Sequence, residues 1–471
     1  MIFLFGGFMM LAIVVALTDW RRGWLLAVVC GLLQDPARKM TPGTPVALTL
    51  SVVAIYFAVL IAAQYQLQAG WREFTRRLSG VWAAAIILLF FIALAAMNGL
   101  FTYGMAFWKV PALSLFIYLT PLPAILLGYI YVQREEQLAY FFRFYSIVTA
   151  IGLIGTPLEY LGVKASAIGL VGMPESYIRH LPGIQIKVLS GFYRAPDIMG
   201  WHAATLASIG IAMAMRAKVF RSAVPWLLVA GWGFFNTLIS GRRKAVYMIV
   251  VFAAVMFWRY FRRLTFAQVV SMVLAMATIF GIMRYTASSE RGAVYTKGTQ
   301  TSGEEIYERL EGGFIGTIET FGVMGAGLGT ATQGVRHLLG RDDNIGWQEG
   351  GLGKLAIEVG LPGVLAVAFL SWTVAMTLLR VTAAPDLPGS TQLMRVTLFA
   401  LVVSNVANFF VSAQAYSDAV LTLMSAFFLG CLFGMAVLDE RYAEQQLALS
   451  SSEPAAGQAA AQPRLGSPAT A

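Results

Sequence analysis

The chain has 471 residues, 58% of them hydrophobic and only 12% charged, with a mean hydropathy of +0.70. That balance exceeds what a soluble core absorbs and describes an integral membrane protein. The formal net charge of +10 is not a nucleic-acid signature, because the cations are scattered through short loops between apolar runs, as anchoring at a cytoplasmic face requires.

In chain order, the opening run 2–18 lacks a basic leader and a small-residue cleavage site, so it reads as a retained span rather than a signal peptide. Residues 24–34, flanked by "DWRR" and "DPARK", are short and read as re-entrant or tilted. Apolar runs of spanning length follow at 44–66, 80–100, 111–132, 139–160, 197–215, 222–239, 244–258, 265–283, 352–379, 392–411 and 418–437. The expected fold is an all-α polytopic membrane protein of about 12 or 13 transmembrane helices. It divides into a transmembrane region at 1–283, a large and partly helical outer loop at 284–350, C-terminal transmembrane helices at 351–438, and a tail at 439–471 too poor in apolar residues to fold. Cys30 and Cys431 lie inside separate apolar runs, which points to packing rather than to a disulfide or a metal site.

Alternation of the spans gathers "WREFTRRL", "REEQLAYFFR", "RAKVFR", "RYFRR" and the segment after Arg380 on one side, which the positive-inside tendency makes cytoplasmic. The loops at 101–110, 161–196 and 284–350 then face outward, into the periplasm if the membrane is a bacterial inner one. So do Arg242, Arg243 and Lys244 of "SGRRK", against the usual charge rule. Cations held at the outer face point to an anionic ligand there, unless a span is miscounted or 222–243 forms a hairpin.

Three outer stretches carry candidate chemistry. In "GFYRAPDIMG", Pro196 and Asp197 are residues of a helix's first turn and Arg194 stands just before them, so free N–H groups and a guanidinium converge where a phosphate would fit. In "SGEEIYERLEGGF", Ser302 and Glu305 have capping-box spacing and Ile306, Leu310 and Phe314 recur on one face, which predicts an amphipathic helix carrying Arg309. An alternative role for Arg309 is a surface salt bridge with Glu305, Glu308 or Glu311. In "GAGLGT", Gly325, Gly327 and Gly329 predict a tight, close-approach turn, without the strand or spacing of a nucleotide fold. Glu349 then stands just before the next span, where a base could meet an acceptor, with His337 twelve residues earlier. The nearest approach to a metal-binding acidic pair in these loops is "RDDN", which reads as a solvated turn.

Arg194 before one span, "SGRRK" before another, the "ERLEGG" helix, and "GAGLGT" followed by "EVGLPG" together resemble the bacterial O-antigen ligase and polysaccharide polymerase family of membrane glycosyltransferases, over roughly residues 185–380. The resemblance implies an inner-membrane enzyme that transfers a glycan from undecaprenyl diphosphate, with inversion and without a metal or cofactor. The acceptor it implies is a second lipid-linked glycan or a lipid A core sugar, and the site faces the periplasm. It assigns diphosphate contacts to Arg194, Arg242 and Arg309, beside Arg243 and Lys244. The family's His-x-His-Asn-like stretch falls here on Trp347, Gln348, Glu349 and Gly350, so the histidine's place is taken by Glu349, with His337 as the other candidate base. The missing histidine pattern inclines the expectation toward a polymerase rather than a ligase. A flippase or other carrier, which would concentrate polar groups near the membrane midplane, is the competing class.

Overall fold

The computed structural model describes residues 2–170, 177–181, 184–217, 219–260, 303, 307–308, 311–332, 348–382 and 389–438. The helices are α1 (Ile2–Thr18), α2 (Trp20–Lys39), α3 (Ser51–Ala62), α4 (Gln64–Arg77), α5 (Ser79–Tyr103), α6 (Lys109–Leu119), α7 (Pro121–Tyr131), α8 (Glu135–Gly152) and α9 (Gly155–Tyr160). They continue as α10 (Pro196–Arg216), α11 (Phe220–Ile239), α12 (Arg243–Tyr260), α13 (Gly316–Phe321), α14 (Gly351–Thr382), α15 (Gly389–Val411) and α16 (Ala419–Ala436). A short antiparallel hairpin, β1 (Tyr177–Leu181) with β2 (Ile184–Lys187), precedes α10.

The protein is an all-α multi-pass membrane protein. Among the described residues eight helical stretches are long and apolar enough to cross a membrane, or nine if the bent pair that includes α3 and α4 is one span. The ends of α2 and α12 are charged, and α1 is only 17 residues long, so none of these three is in that count. The run at 265–283 and the tail at 439–471 lie outside the described residues.

Two expectations about spans need correction. The run at 44–66 is not one straight span: the chain bends by 78° at Ala63, and the "WREFTRR" segment, expected as a loop, is the end of α4. Leu67, Gly70 and Phe74 lie on one face of α4, with Gly70 against Ile130 and Phe74 against Tyr129 and Phe433, while Arg72 and Arg76 are exposed. The stretch at 24–34 is not short either. Asp19 caps Arg21 and Arg22, and the helix runs 20 residues, carrying buried Gln34 and Asp35 in its last turns.

At the centre stands α10, with 89% of its apolar window buried; it packs on α8, α11, α12 and α15. Beside it α16 lies closely against α7, where a Cβ on Gly128 or Gly430 would strike the partner backbone. Cys30 and Cys431 are free and buried in this core.

The two ends of the bundle differ in chemistry. At one end Arg216, closing α10, pairs with Glu135 of α8 at 2.9 Å, Thr391 of α15 donates to the same carboxylate, and Arg259 of α12 donates to the Leu379 carbonyl of α14. These segments were expected to share one side, and they share one end. The other end holds the first turn of α10, the α11–α12 turn, the start of α14 and the α15–α16 connection.

The glycine motif forms the expected close-approach turn. Residues 322–332 are wedged between α5, α6 and α14, with Leu328 N–H donating to Ala95 O at 3.0 Å and Ala326 N–H to Ile357 O at 2.8 Å. Gly327 has φ +102°, and a Cβ there would lie 2.5 Å from the Gly99 Cα, so the position requires glycine twice over. The fully buried carboxylate of Glu358, next to the break in α14 at Gly360, receives the Tyr118 hydroxyl at 2.6 Å and the Thr332 hydroxyl at 2.7 Å. Of the predicted amphipathic helix, the end is described as a wide turn at Glu311–Ile315 running into α13, which Gly322 terminates. Residues 304–306 and 309–310 lie outside the described residues.

Candidate functional site

Pro196 opens α10 with its ring in the first turn, where no intrahelical donor is needed, and Asp197 follows it in that turn. The chain returns to that point after α11. Ser240 and Gly241 turn it, Gly241 at φ +78° and packed against Ile186 and Val188, and the Ser240 hydroxyl accepts the Arg242 N–H at 3.0 Å. The turn delivers two cations to one acid: Arg242 Nη2 lies 2.9 Å from Asp197 Oδ2, and Lys244 Nζ lies 2.5 Å from Asp197 Oδ1. Lys244 also donates to the Ser412 hydroxyl at 2.7 Å, joining α12 to the end of α15. Gly200, one turn into α10, leaves room for Ala245 to approach.

Arg194 is held differently. Its guanidinium meets Asp418 at 2.7 Å, and its backbone N–H donates to Asp35 of α2 at 2.9 Å. Asp418 also caps α16, its other oxygen accepting Val420 N–H at 2.8 Å and Leu421 N–H at 3.1 Å. Arg194 and the open N–H groups of α10 were expected to converge on a phosphate; the structure shows the guanidinium on Asp418 and no side-chain cap at the start of α10. The side chains of Arg194, Arg242 and Lys244 remain 18%, 21% and 13% exposed, so each presents a face to the outside of the cluster.

Glu349 sits at the surface immediately before α14, close enough to Lys244 to act on it electrostatically. Its carbonyl accepts the Ala413 N–H at 2.8 Å, which ties the start of α14 to the segment that carries Ser412. Arg243, half-buried, opens α12 on the same turn as Arg242. Behind the charged residues Asn405 accepts the Trp201 indole N–H at 2.6 Å and the Tyr416 hydroxyl at 3.0 Å. Burial holds the phenols of Tyr416 and Tyr193 above the ordinary tyrosine range, so both stay protonated.

Thus the structure brings together Arg194, Arg242, Arg243, Lys244 and Glu349 at one end of the bundle. Arg309 and His337 lie outside the described residues. Among the described residues, no group of three or more His, Cys, Asp or Glu side chains is arranged to hold a metal ion.

Sequence reasoning missed the acids. Asp35, Asp197 and Asp418 stand beside the cations, but two of the three come from segments far along the chain in either direction, and Asp197 looked like an ordinary first-turn residue. A signal did exist: Asp35 and Asp418 each stand beside an apolar run, at the same depth as Arg194 once the spans are alternated. No protein-family model and no curated protein matches the sequence.

Proposed function

We propose that the chain is a bacterial inner-membrane glycosyltransferase that moves a glycan from undecaprenyl diphosphate to an acceptor sugar hydroxyl on the periplasmic side, joining polysaccharide repeat units. The observation that carries this reading is the sharing of Asp197 by Arg242 and Lys244. Two fixed cations that share one carboxylate at the start of α10 offer directed N–H donors and positive charge, which suits a departing diphosphate.

The acceptor oxygen attacks the anomeric carbon, the bond from that carbon to the diphosphate oxygen breaks, and its electron pair leaves with the diphosphate. Arg242 and Lys244 oppose the growing negative charge. The hydroxyl proton passes to Glu349, whose surface position beside Lys244 suits a carboxylate base, with His337 as the other candidate. Attack from the face opposite the leaving group inverts the anomeric centre. The ligase reading, with a lipid A core sugar as acceptor, uses the same chemistry and differs only in what enters.

The test is turnover of an undecaprenyl-diphosphate glycan by the purified protein in lipid nanodiscs. Arg242→Ala and Glu349→Gln are each expected to lower kcat/KM about a hundredfold, the scale of losing one preorganised charge-stabilising or proton-accepting group. Lengthened lipid-linked glycan marks a polymerase, and transfer only to added lipid A core marks a ligase. Movement of donor across the bilayer without a new glycosidic bond would make the protein a carrier. Full activity with Arg242 and Lys244 both replaced by alanine would remove the reading.

A further inference from the structure

The segment that leads into Arg194 is gripped from outside by three side chains with no place in the reaction above. Glu159 of α9 accepts two successive amides through one oxygen, from Ser190 at 2.9 Å and Gly191 at 2.7 Å. Lys39, the last residue of α2, donates to the carbonyls of Gly191 at 2.8 Å and Tyr193 at 2.6 Å. Asp35, one turn earlier on the same face of α2, takes the Arg194 amide. Within a few residues of backbone, then, a lysine holds two acceptors and two carboxylates hold three donors.

Two features make this more than a loop that happens to be well bonded. Both hydrogen bonds shown for Lys39 go to residues within three positions of Arg194, and that of Asp35 goes to Arg194 itself. Asp35 is only 2% exposed, its second oxygen has no hydrogen-bond partner, and the charges acting on it include Arg194, Lys39 and Asp418. A buried carboxylate so sparsely bonded is stabilised chiefly by the cations around it, so Asp35, Lys39 and Arg194 depend on one another.

We infer that Lys39 and Asp35 are positioning residues for Arg194: the last turn of α2 fixes the backbone from 190 to 194 so that the guanidinium is held at the site rather than swinging with its loop. The backbone part of this inference stands by itself. Its consequence for glycosyl transfer rests on the proposed function.

Amide hydrogen exchange of the full-length protein in nanodiscs, read on peptides covering 188–195, separates the two. Lys39→Met and Asp35→Asn are each expected to speed exchange there about tenfold or more, because the amides open locally once the grip is lost, with α14 and α16 unchanged. Lys39→Arg should restore slow exchange. If transfer is also measured, kcat should fall with the donor KM nearly unchanged. Unaltered exchange in both variants overturns the inference. Faster exchange with undiminished transfer upholds the grip and removes Arg194 from the proposed reaction. Asp35→Asn, nearly isosteric, supplies the result if Lys39→Met does not fold.

Discussion

The two halves of the charged cluster look alike in sequence and are built in opposite ways. Around Arg194 one guanidinium has a carboxylate to itself, and a second carboxylate holds its backbone. Around Asp197 one carboxylate serves two cations. The first arrangement is saturated: Asp418 fixes Arg194 and starts a helix with its other oxygen, so the arginine is partly a structural strut between the segment before α10 and α16. The second divides one acid between two cations, with Glu349 also acting on Lys244. If the proposed reaction holds, the diphosphate contacts expected of Arg194 and Arg242 alike become unequal, with Arg242 and Lys244 offering attraction and Arg194 a fixed group paired with its own acid.

The largest effect separating the halves is on stability. Asp418→Ala removes the partner of a largely buried guanidinium, which costs about 3–5 kcal/mol when one member of such a pair is lost, and removes a helix cap worth about 1 kcal/mol more. A steep fall in the thermal midpoint of the detergent-solubilised protein should follow. Asp418→Asn keeps the cap and loses only the charge, so it should fall between wild type and Asp418→Ala. If both variants melt like wild type, Arg194 is not a strut and the contrast fails.

Much of the fold was legible from apolar run lengths alone: α10, α11, α12, α14, α15 and α16 begin and end within about three residues of the expected spans, since hydrocarbon thickness sets their length. The bend after α3 was not legible, because Ala63 and Gln64 contain neither glycine nor proline, and the turn is set by where Gly70 and Phe74 find α7. The length of α2 was hidden by its own polar end, since Gln34 and Asp35 look like loop residues until their burial is known. The cations of the site were visible because charge at a membrane edge is conspicuous. For their acids only depth was legible, at Asp35 and Asp418; nothing in a single sequence says that Asp418 returns to Arg194 or that Lys244 reaches both Asp197 and Ser412.

On the Asp197 side the informative change removes the acid rather than a base. Asp197→Asn keeps size and hydrogen bonding at the start of α10 but leaves Arg242 and Lys244 without their counter-charge. The donor should then bind more tightly, because its diphosphate no longer competes with a resident carboxylate. The two cations, no longer held in place, should serve the transition state less well. The expected signature is a lower donor KM together with a kcat reduced about tenfold, the pattern of binding gained in the ground state and lost at the barrier. A raised KM would mean that Asp197 orders the cations for binding itself, and the argument from competition between carboxylate and diphosphate would fall.

The smallest effect asks whether charge or shape matters at Arg242. Arg242→Lys keeps the charge within reach of Asp197 but loses the planar fork that can address a carboxylate and a phosphate oxygen together. Since Lys244 already supplies a point charge on the same acid, a second lysine should restore attraction without the second directed contact. A loss in kcat/KM of about tenfold, smaller than for alanine, is the expected outcome for one such contact. Activity equal to wild type would show that the cluster acts through its summed field alone, and Arg194, though charge-balanced, would then become the only arginine of the pair whose geometry matters.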